Sequence, residues 1–330
     1  MRIGLTYNLK PEGADGDRYE EFDSIETIEA LESALRKAGY DPVRLGWGQP
    51  MLEKLASSGV EAVFNLAEGM GGRGRESQVP ATLEMLGIPC TGSDPVAIGI
   101  TLDKAMAKLI AKANGIATAP WCVAAGFSPS DGGLKAAATL KYPLFVKPAC
   151  EGSSMGVTSK SLCHNESELN AAIKGVSQYG SVLVEEFLPG DEYTVGILGG
   201  EVIGVMQVVP RNSHDNWFYS IEEKRDYIRR VEYRIVDAPR VAAVALAIWN
   251  AFGLRDVARV DVRCDRDGVP NFVEVNPLPG VHPVNSDLVI LAKGVGWTYD
   301  RLIAGIMESA EERWAASQSS LTTTHISSRT

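Results

Sequence analysis

The first hundred residues repeat one alternation of patterns, and it constrains the fold more than any other feature of the chain. Short apolar, strand-like runs alternate with amphipathic helical segments. The strands are predicted at 2–8, 42–47 and 62–67, and the helices at 24–40, 51–58 and 79–87. Gly39, Gly59 and Gly87 follow the helical patterns closely, as glycines at helix C-termini do. Such a βαβ series predicts a parallel sheet with helices on its faces.

The middle of the chain indicates a smaller α+β module. A helix at 101–115 is followed by predicted strands at 121–125, 144–149 and 156–160, a helix at 166–178 and a strand at 181–188. Strands follow at 192–199, 201–210, 258–264 and 271–276, with a polar stretch at 211–230 and a buried helix at 241–254. The Asp-Gly signal at 267–268 predicts an antiparallel hairpin between the last two strands.

A chain of 330 residues is long for one hydrophobic core. We therefore predict an N-terminal α/β domain at 1–100, a central subdomain at 101–190 and a C-terminal antiparallel-sheet subdomain at 191–316. After a last helix, the Ser- and Thr-rich residues 317–330 are expected to form a disordered tail.

The charge and cysteine content narrow the class of protein. A net charge of −10 argues against a nucleic-acid binder, because such binding relies on clustered Lys and Arg. The longest apolar stretch, 241–254, is too short to span a bilayer, and no signal peptide is evident. The five cysteines form no CxxC pair and are odd in number, as is typical of reduced thiols. We therefore expect a cytoplasmic protein without a nucleic-acid or membrane partner.

Oxygen-bearing side chains share one face of the predicted hairpin. Glu274 and Asn276 lie two residues apart and point the same way, and Asp261 lies on the facing strand. Carboxylate and amide oxygens without nearby His or Cys suit Mg²⁺. The alternative is that the carboxylates form ion pairs with Arg259 and Arg263 on a solvated face.

Lys147 ends a predicted strand and is followed by a loop rich in Gly and Ser. Backbone N–H groups and hydroxyls at Gly152, Ser153, Ser154 and Gly156 could surround a phosphate, with charge from Lys147. The alternative is a flexible surface hairpin.

Two other motifs suggest different enzymes. GSSMG matches the G-x-S-x-G nucleophile elbow, which would make Ser154 a hydrolase nucleophile with His214 or His282 as its base. GMGGRG at 69–74 matches G-x-G-x-x-G, with Asp94 about twenty residues on, as in an NAD-dependent oxidoreductase. Both matches lack the expected context, since Pro148 to Glu151 interrupt the first and the second does not follow the chain's first strand.

The ordered series TLDKAMAK, Lys147 before GSSMG, VLVEEFLPGDEYTV, ARVDV and EVNPLPG resembles the ATP-grasp superfamily. Within it, the resemblance is greatest to the D-alanine–D-alanine ligases and covers residues 1 to about 315. The segment LEMLGIPCTGSDP at 83–95 also resembles the end of that family's N-terminal domain.

This resemblance implies an enzyme that joins a carboxylate and an amine through an acyl phosphate, with ATP and two Mg²⁺ ions, for which Mn²⁺ may substitute. Phosphate contacts would come from Lys104, Lys147, Ser153, Ser154 and the mobile-loop residue Lys224. The adenosine cleft would be lined by Glu185, Phe187, Leu188 and Glu192, and the metal ligands would be Asp261, Glu274 and Asn276. Arg259 and the Gly280 N–H would be oxyanion donors, and Ser286 and Leu288 would face the amine substrate.

The sequence departs from the family's pattern in parts that face the substrates. Arg225 stands where the family has a Tyr that would bond Ser153. The family's H-G-x-x-G-E-D-G segment is replaced by NLAEGMGGRGRES. The stretch GVHPVNSDL carries one residue more than the family's pattern before its Ser. The glutamate that would bind the first substrate's amine is left open among Glu21, Asp23 and Glu26, beside Ser24. We expect small amino-acid-like substrates other than plain D-alanine, with Arg225 binding a second carboxylate. A noncatalytic ATP or amino-acid binding protein of this fold is the other reading, and the choice between monomer and homodimer stays open.

Overall fold

The computed structural model describes residues 1–13, 19–125, 136–211, 217–218 and 226–327, with side chains described up to residue 317. Lys224 and Arg225 therefore lie outside the described residues, as does His214. The expectations attached to these three residues stay predictions.

The N-terminal domain is a parallel sheet with helices, as predicted. Its strands are β1 (Arg2–Thr6), β2 (Asp41–Gly46) and β3 (Ala62–Asn65), in the order β2-β1-β3. Its helices are α1 (Ile25–Lys37), α2 (Gln49–Ser58) and α3 (Gln78–Met85). Ser24 begins α1 because its hydroxyl accepts a hydrogen bond from the N–H of Thr27.

The segment between the first two modules contains two helices, α4 (Pro95–Leu102) and α5 (Lys104–Ala113). The sequence predicted one helix over 101–115. The break falls at Asp103, whose extended backbone and side chain cap α5 by accepting from the N–H groups of Ala105 and Met106. Lys104 is consequently the first residue of a new helix.

The central module is a four-stranded antiparallel sheet in the order β4-β7-β5-β6. Its elements are β4 (Trp121–Ala125), β5 (Leu144–Pro148), β6 (Leu162–Cys163), α6 (Glu166–Val176) and β7 (Val182–Glu186). The strand predicted at 156–160 is absent there, because the described chain forms a 3₁₀ turn at Ser159–Ser161. Thr158 and Ser161 stabilise this turn through reciprocal side-chain to backbone hydrogen bonds.

The C-terminal module is a five-stranded antiparallel sheet in the order β10-β9-β8-β11-β12. Its elements are β8 (Glu192–Leu198), β9 (Glu201–Pro210), a short α7 (Tyr227–Arg230), β10 (Val231–Ile235), α8 (Pro239–Phe252), β11 (Val257–Cys264) and β12 (Pro270–Asn276). The hairpin predicted between the last two strands is present. Sequence reasoning missed β10, an edge strand whose Glu232 and Arg234 pair with each other.

The last two helices join the chain's ends into one core. They are α9 (Asp287–Gly294) and α10 (Tyr299–Ser327). Ile303 and Ile306 of α10 are buried in the same apolar cluster as Ile3 and Ile28 of the N-terminal domain. This packing places the N-terminal domain against the C-terminal module.

The helix α10 continues beyond residue 316, where the sequence predicted that a disordered tail begins. No glycine or proline occurs after Gly305 to interrupt it. None of the helices in the described part of the chain combines the length and apolar character needed to cross a bilayer.

Candidate active site

A cleft lies between the central sheet and the C-terminal sheet, with walls from β5, β7, β11 and β12. Most residues predicted to contact nucleotide line it: Lys104, Lys147, Ser154, Glu185, Phe187, Leu188 and Glu192. Asp261 and Glu274, the predicted metal ligands, line the same cleft. The fold therefore brings together residues that are up to 170 positions apart, from Lys104 to Glu274.

Glu185 holds two lysines at the base of this cleft. Its carboxylate lies 2.6 Å from Lys147 Nζ and 2.7 Å from Lys108 Nζ. Burial by itself raises the pKa of Glu185, but the two lysines lower it to about 2. Lys108 was not predicted from the sequence, although its position one helical turn after Lys104 places both on one face of α5.

The cleft's outer wall is aromatic. Phe145 packs edge-on against Phe218 with ring centroids 4.9 Å apart, and Arg263 lies 4.9 Å above the ring of Phe187. Arg263 also forms a 2.7 Å ion pair with Glu192 and donates to the Trp217 carbonyl. A flat apolar slot closed by a paired guanidinium suits a planar heterocycle. Arg263 and Phe218 were missed from the sequence because neither lies within a recognised motif.

The Gly- and Ser-rich loop has the backbone of an anion-binding turn. Ser153 and Ser154 adopt left-handed conformations with φ of 48° and 57°, and Gly156 has φ of 70°. Such strain in non-glycine residues is concentrated at functional sites. Lys104 reaches the loop and donates to the Glu151 carbonyl at 2.6 Å.

The predicted metal ligands meet on the β11–β12 hairpin. Asp261 is the register partner of Glu274, and Arg259 is the partner of Asn276. Asp261 accepts hydrogen bonds from Thr194 at 2.7 Å and from Arg259 at 3.0 Å, so the ion pair considered as an alternative does form. Arg263 pairs elsewhere.

The oxygen donors on this hairpin fit a hard divalent cation. Within the part of the chain that the structure describes, no group of three His, Cys, Asp or Glu side chains has the spacing of a metal site. The predicted set has two carboxylates and one amide, and Mg²⁺ usually completes such a set with waters and phosphate oxygens.

A second cavity of about 390 Å³ adjoins the cleft on the side of the N-terminal domain. We call it the substrate cavity. Lys104, Glu274 and Asp287 line both spaces, which therefore meet. Eight predicted residues line it: Glu21, Asp23, Ser24, Ser153, Arg259, Asn276, Gly280 and Ser286. Leu288 does not line it, because its side chain is fully buried in the core beneath α9.

Arg259 is fixed between two carboxylates at the floor of the substrate cavity. It donates to both oxygens of Asp261, and a further nitrogen lies 3.5 Å from Asp287. Burial lowers the pKa of Arg259, but these carboxylates raise it above the ordinary value. Gly280 lies nearby and has little room for a side chain, because a Cβ there would lie 3.0 Å from Ser286 Oγ.

Glu21 is not free to bind a substrate amine. Arg75 donates to both of its oxygens at 2.9 Å, and the Gly152 N–H donates to it at 2.8 Å. Arg75 also donates to the Cys150 carbonyl at 2.8 Å. Sequence reasoning did not single out Arg75, and its place in the atypical segment NLAEGMGGRGRES was the available signal. Glu26 is exposed and lies 3.4 Å from His282.

The two competing motifs do not have the structures their chemistry requires. Ser154 follows β5 through a loop and precedes a 3₁₀ turn, so it is not on a strand-to-helix elbow. GMGGRG leads into a 3₁₀ turn at Arg75–Ser77, and Gly69 is needed because a Cβ would overlap the Arg75 carbonyl. Neither the hydrolase nor the oxidoreductase reading is supported.

The chain has the architecture of an ATP-grasp protein. Two antiparallel modules enclose a lysine-lined cleft, and an N-terminal α/β domain packs beside them. One hairpin of the C-terminal module presents oxygen ligands to the cleft. Residues 110–308 match the family model described as D-ala D-ala ligase C-terminus. The D-alanine–D-alanine ligase of Glaesserella parasuis is 36% identical over 293 residues, which cover 86% of this chain and 92% of that protein. The uncharacterized protein y4sG of Sinorhizobium fredii is 33% identical over 76% of this chain and 75% of its own length.

Solved structures agree. The D-alanine–D-alanine ligase of Bacillus anthracis, crystallised with ATP, superposes with a TM-score of 0.73 at 26% identity and covers 94% of this chain and 98% of its own. VanG D-Ala:D-Ser ligase from Enterococcus faecalis, at 22% identity and a TM-score of 0.71, shows the shared fold alone. The chain belongs to the D-alanine–D-alanine ligase family of ATP-dependent ligases, which form carbon–nitrogen bonds.

Proposed function

We propose that the protein uses ATP to activate the carboxylate of one amino-acid-like substrate and joins it to the amine of a second. The observation that carries this proposal is the shared wall between the two spaces. Lys104 and Glu274 face both the cleft and the substrate cavity, so a γ-phosphate in the cleft would lie beside a carboxylate in the cavity.

In the first step, the substrate carboxylate attacks the γ-phosphate, which gives an acyl phosphate and ADP. Lys147 and Lys104 offset charge on the phosphates, and the N–H groups of Ser153 and Ser154 orient them. The adenine ring would occupy the slot beside Phe187 and Leu188, and Glu185 and Glu192 would contact the adenosine. Charge stabilisation and placement are the protein's main contributions to phosphoryl transfer.

Asp261, Glu274 and Asn276 would hold the Mg²⁺ ions. When bound, these ions neutralise charge on the phosphate oxygens. Lys104 lies 3.4 Å from Glu274, and this ion pair gives the Glu274 carboxylate a counter-charge.

In the second step, the amine attacks the acyl carbon, a tetrahedral intermediate forms, and phosphate leaves. Arg259 and the Gly280 N–H would donate to the oxyanion, and Ser286 would border the amine substrate. Arg259 is suited to this role because Asp261 and Asp287 hold its guanidinium in place before substrate binds. The roles predicted for Lys224 on the phosphates and for Arg225 on a second carboxylate belong to residues outside the described part of the chain and stay predictions.

The test is phosphate release from Mg-ATP across pairs of amino acids, with the ligated product identified by mass spectrometry. Release that requires both a carboxylate and an amine is expected. An Asp261→Asn variant is expected to lose at least a hundredfold in kcat, while an Asp267→Asn variant, in the exposed turn of the same hairpin, keeps it. Nucleotide binding without product from any pair would favour the noncatalytic reading.

A further inference from the structure

The substrate cavity is lined by more carboxyl groups than its own cations can match. Three carboxylates near the reacting centre are compensated: Glu274 by Lys104 at 3.4 Å, Asp287 by Arg259 at 3.5 Å, and Glu21 by Arg75 at 2.9 Å. Three others on the side of the N-terminal domain, Asp23, Glu68 and Glu76, have no comparable partner among the described residues.

Glu76 is the most informative of these. Its side chain is 9% exposed, it lines the cavity, and it accepts no hydrogen bond from the described residues. The nearest cation is Arg75 at 3.9 Å, and the same Arg75 nitrogen already bonds both oxygens of Glu21. A buried carboxylate without a full counter-charge costs several kcal/mol, so a ligand group is expected to supply it.

Asp23, Glu68 and Glu76 do not form a ready-made metal site. Across the described ranges, no three such side chains are close enough to ligate one metal. Carboxylates that line a cavity of about 390 Å³ suit the cationic groups of a small organic molecule.

We propose that one substrate of this ligase is a diamino carboxylic acid, whose two ammonium groups are bound by Asp23, Glu68 and Glu76. The inference rests on the ligase function proposed above. An ordinary amino acid brings one ammonium group, which would leave at least one buried carboxylate unmatched. A side chain of three or four carbons ending in an amine provides the second cation. Arg259, which lines the same cavity, takes the carboxylate of the substrate.

The electrostatics of the cavity support this assignment. Burial, together with the neighbouring Glu21 charge, raises the pKa of Glu76 to about 8, and burial raises the pKa of Asp23 to about 7. Burial and the Glu76 charge also raise the pKa of Glu68. Asp23 and Glu76 are therefore partly protonated near neutral pH. A bound ammonium group favours the charged carboxylates, so binding must release protons.

The first experiment compares isosteric substrates with the full-length enzyme and Mg-ATP. Phosphate release is measured with ornithine against norleucine and lysine against 2-aminoheptanoate, in both configurations, each with a panel of partner amino acids. A diamino acid is expected to exceed its neutral isostere at least tenfold in kcat/KM. If no pair of any kind supports release, the proposed ligase function fails. If neutral isosteres react equally well, the ligase function stands and the diamino assignment is wrong.

The second experiment locates the preference. Glu76→Gln is expected to reduce the ratio of diamino acid to isostere at least fivefold, and Glu84→Gln, an exposed change on α3, should leave it unaltered. Calorimetric titration with ornithine in two buffers of different ionisation enthalpy should show proton release near pH 7.5 in the wild type and less in Glu76→Gln. If Glu76→Gln does not fold, the same two measurements are made with Glu68→Gln. An unaltered ratio in the folded variants would overturn the assignment.

Discussion

Arg75 and Glu21, which come from different segments of the N-terminal domain, form a buried bidentate pair that also anchors the phosphate loop. One guanidinium nitrogen donates to both Glu21 oxygens at 2.9 Å, and the Gly152 N–H donates to the same carboxylate at 2.8 Å. A second guanidinium nitrogen bonds the Cys150 carbonyl. This pair therefore connects the N-terminal domain to the loop that contains Ser153 and Ser154.

Removing Arg75 should destabilise the protein strongly. Arg75→Met leaves the Glu21 carboxylate buried without its cation, which typically costs about 3–5 kcal/mol in the free energy of unfolding. Denaturant unfolding measures the change. Arg2→Met removes the exposed Arg2–Asp41 pair and should cost no more than about 1 kcal/mol. Replacing both Arg75 and Glu21 with Met should recover much of the lost stability. If Arg2→Met and Arg75→Met reduced the free energy of unfolding equally, burial of the Arg75–Glu21 pair would not explain the effect.

Adding a methyl group at Gly152 should disturb the phosphate loop. A Cβ at this position would overlap Glu21 Oε1, so Gly152→Ala must displace the loop or break the contact with Glu21. We expect at least a tenfold rise in KM for ATP, measured by phosphate release. Gly175→Ala in α6 meets nothing within 4 Å and should leave KM unchanged. Equal kinetics in the two variants would show that the loop does not depend on Glu21.

Arg259 should matter for kcat more than for nucleotide binding. Loss of an oxyanion donor typically costs about 3–4 kcal/mol of barrier, so Arg259→Met is expected to lower kcat by about 100- to 1000-fold. ATP affinity, measured by calorimetry, should change little because Arg259 lines the substrate cavity and not the nucleotide cleft. A large loss of ATP affinity with an unchanged kcat would show that Arg259 binds nucleotide and is not an oxyanion donor.

The lowered pKa of Glu185 predicts that the stability of the protein falls in acid. Its pKa is lowered from 4.5 to about 2, so its stabilising contribution is complete above pH 4.5 and is lost as the pH falls through about 2. Glu185→Gln should therefore destabilise the protein most at neutral pH, by about 3–5 kcal/mol, since Lys108 and Lys147 lose a buried partner. Unfolding midpoints from pH 7 to pH 3 should converge for the variant and the wild type toward the acid end. A constant difference across this range would show that the lysines do not set the effect.

The raised pKa of Asp23 predicts that stability falls as the pH rises. Its pKa is raised from 3.8 to about 7, so the folded state loses stability relative to the unfolded state as the pH rises from about 4 through 7. Asp23→Asn removes this loss and should raise the melting temperature at pH 8 by about 2–5 °C, with a smaller effect at pH 5. Glu29→Gln, an exposed change on α1, should shift neither value. A gain that is the same at both pH values would exclude titration of Asp23 as its cause.

Local patterns were sufficient for most of the secondary structure. Short apolar, strand-like runs predicted β1, β5, β8 and β11. Predictions from these patterns were wrong where a side chain hydrogen-bonded to the local backbone and changed its conformation. Asp103 divides a continuous helical pattern by capping a new helix, and Thr158 turns a strand-like run into a 3₁₀ turn.

The candidate site was predictable to the extent that its residues lie in ordered motifs. Lys147, Glu185 and Asp261 were selected in this way, and the structure brings them to one cleft. Lys108 and Arg263 were missed because their importance comes from what they contact. Leu288 was placed in the cavity by its nearness to Ser286 in the chain, but helix geometry directs it into the core.

The sequence by itself determined the order of the elements and the chemistry available: lysines and glycines for phosphate, and oxygen ligands for a divalent cation. It did so because periodicity and side-chain type are local properties. Only the tertiary structure decided which charges are compensated. Glu21 meets Arg75 from 54 positions away, and Glu76 is left facing the substrate cavity. Ion pairing falls off with distance in space and with exposure to water, and neither can be read from spacing along a chain.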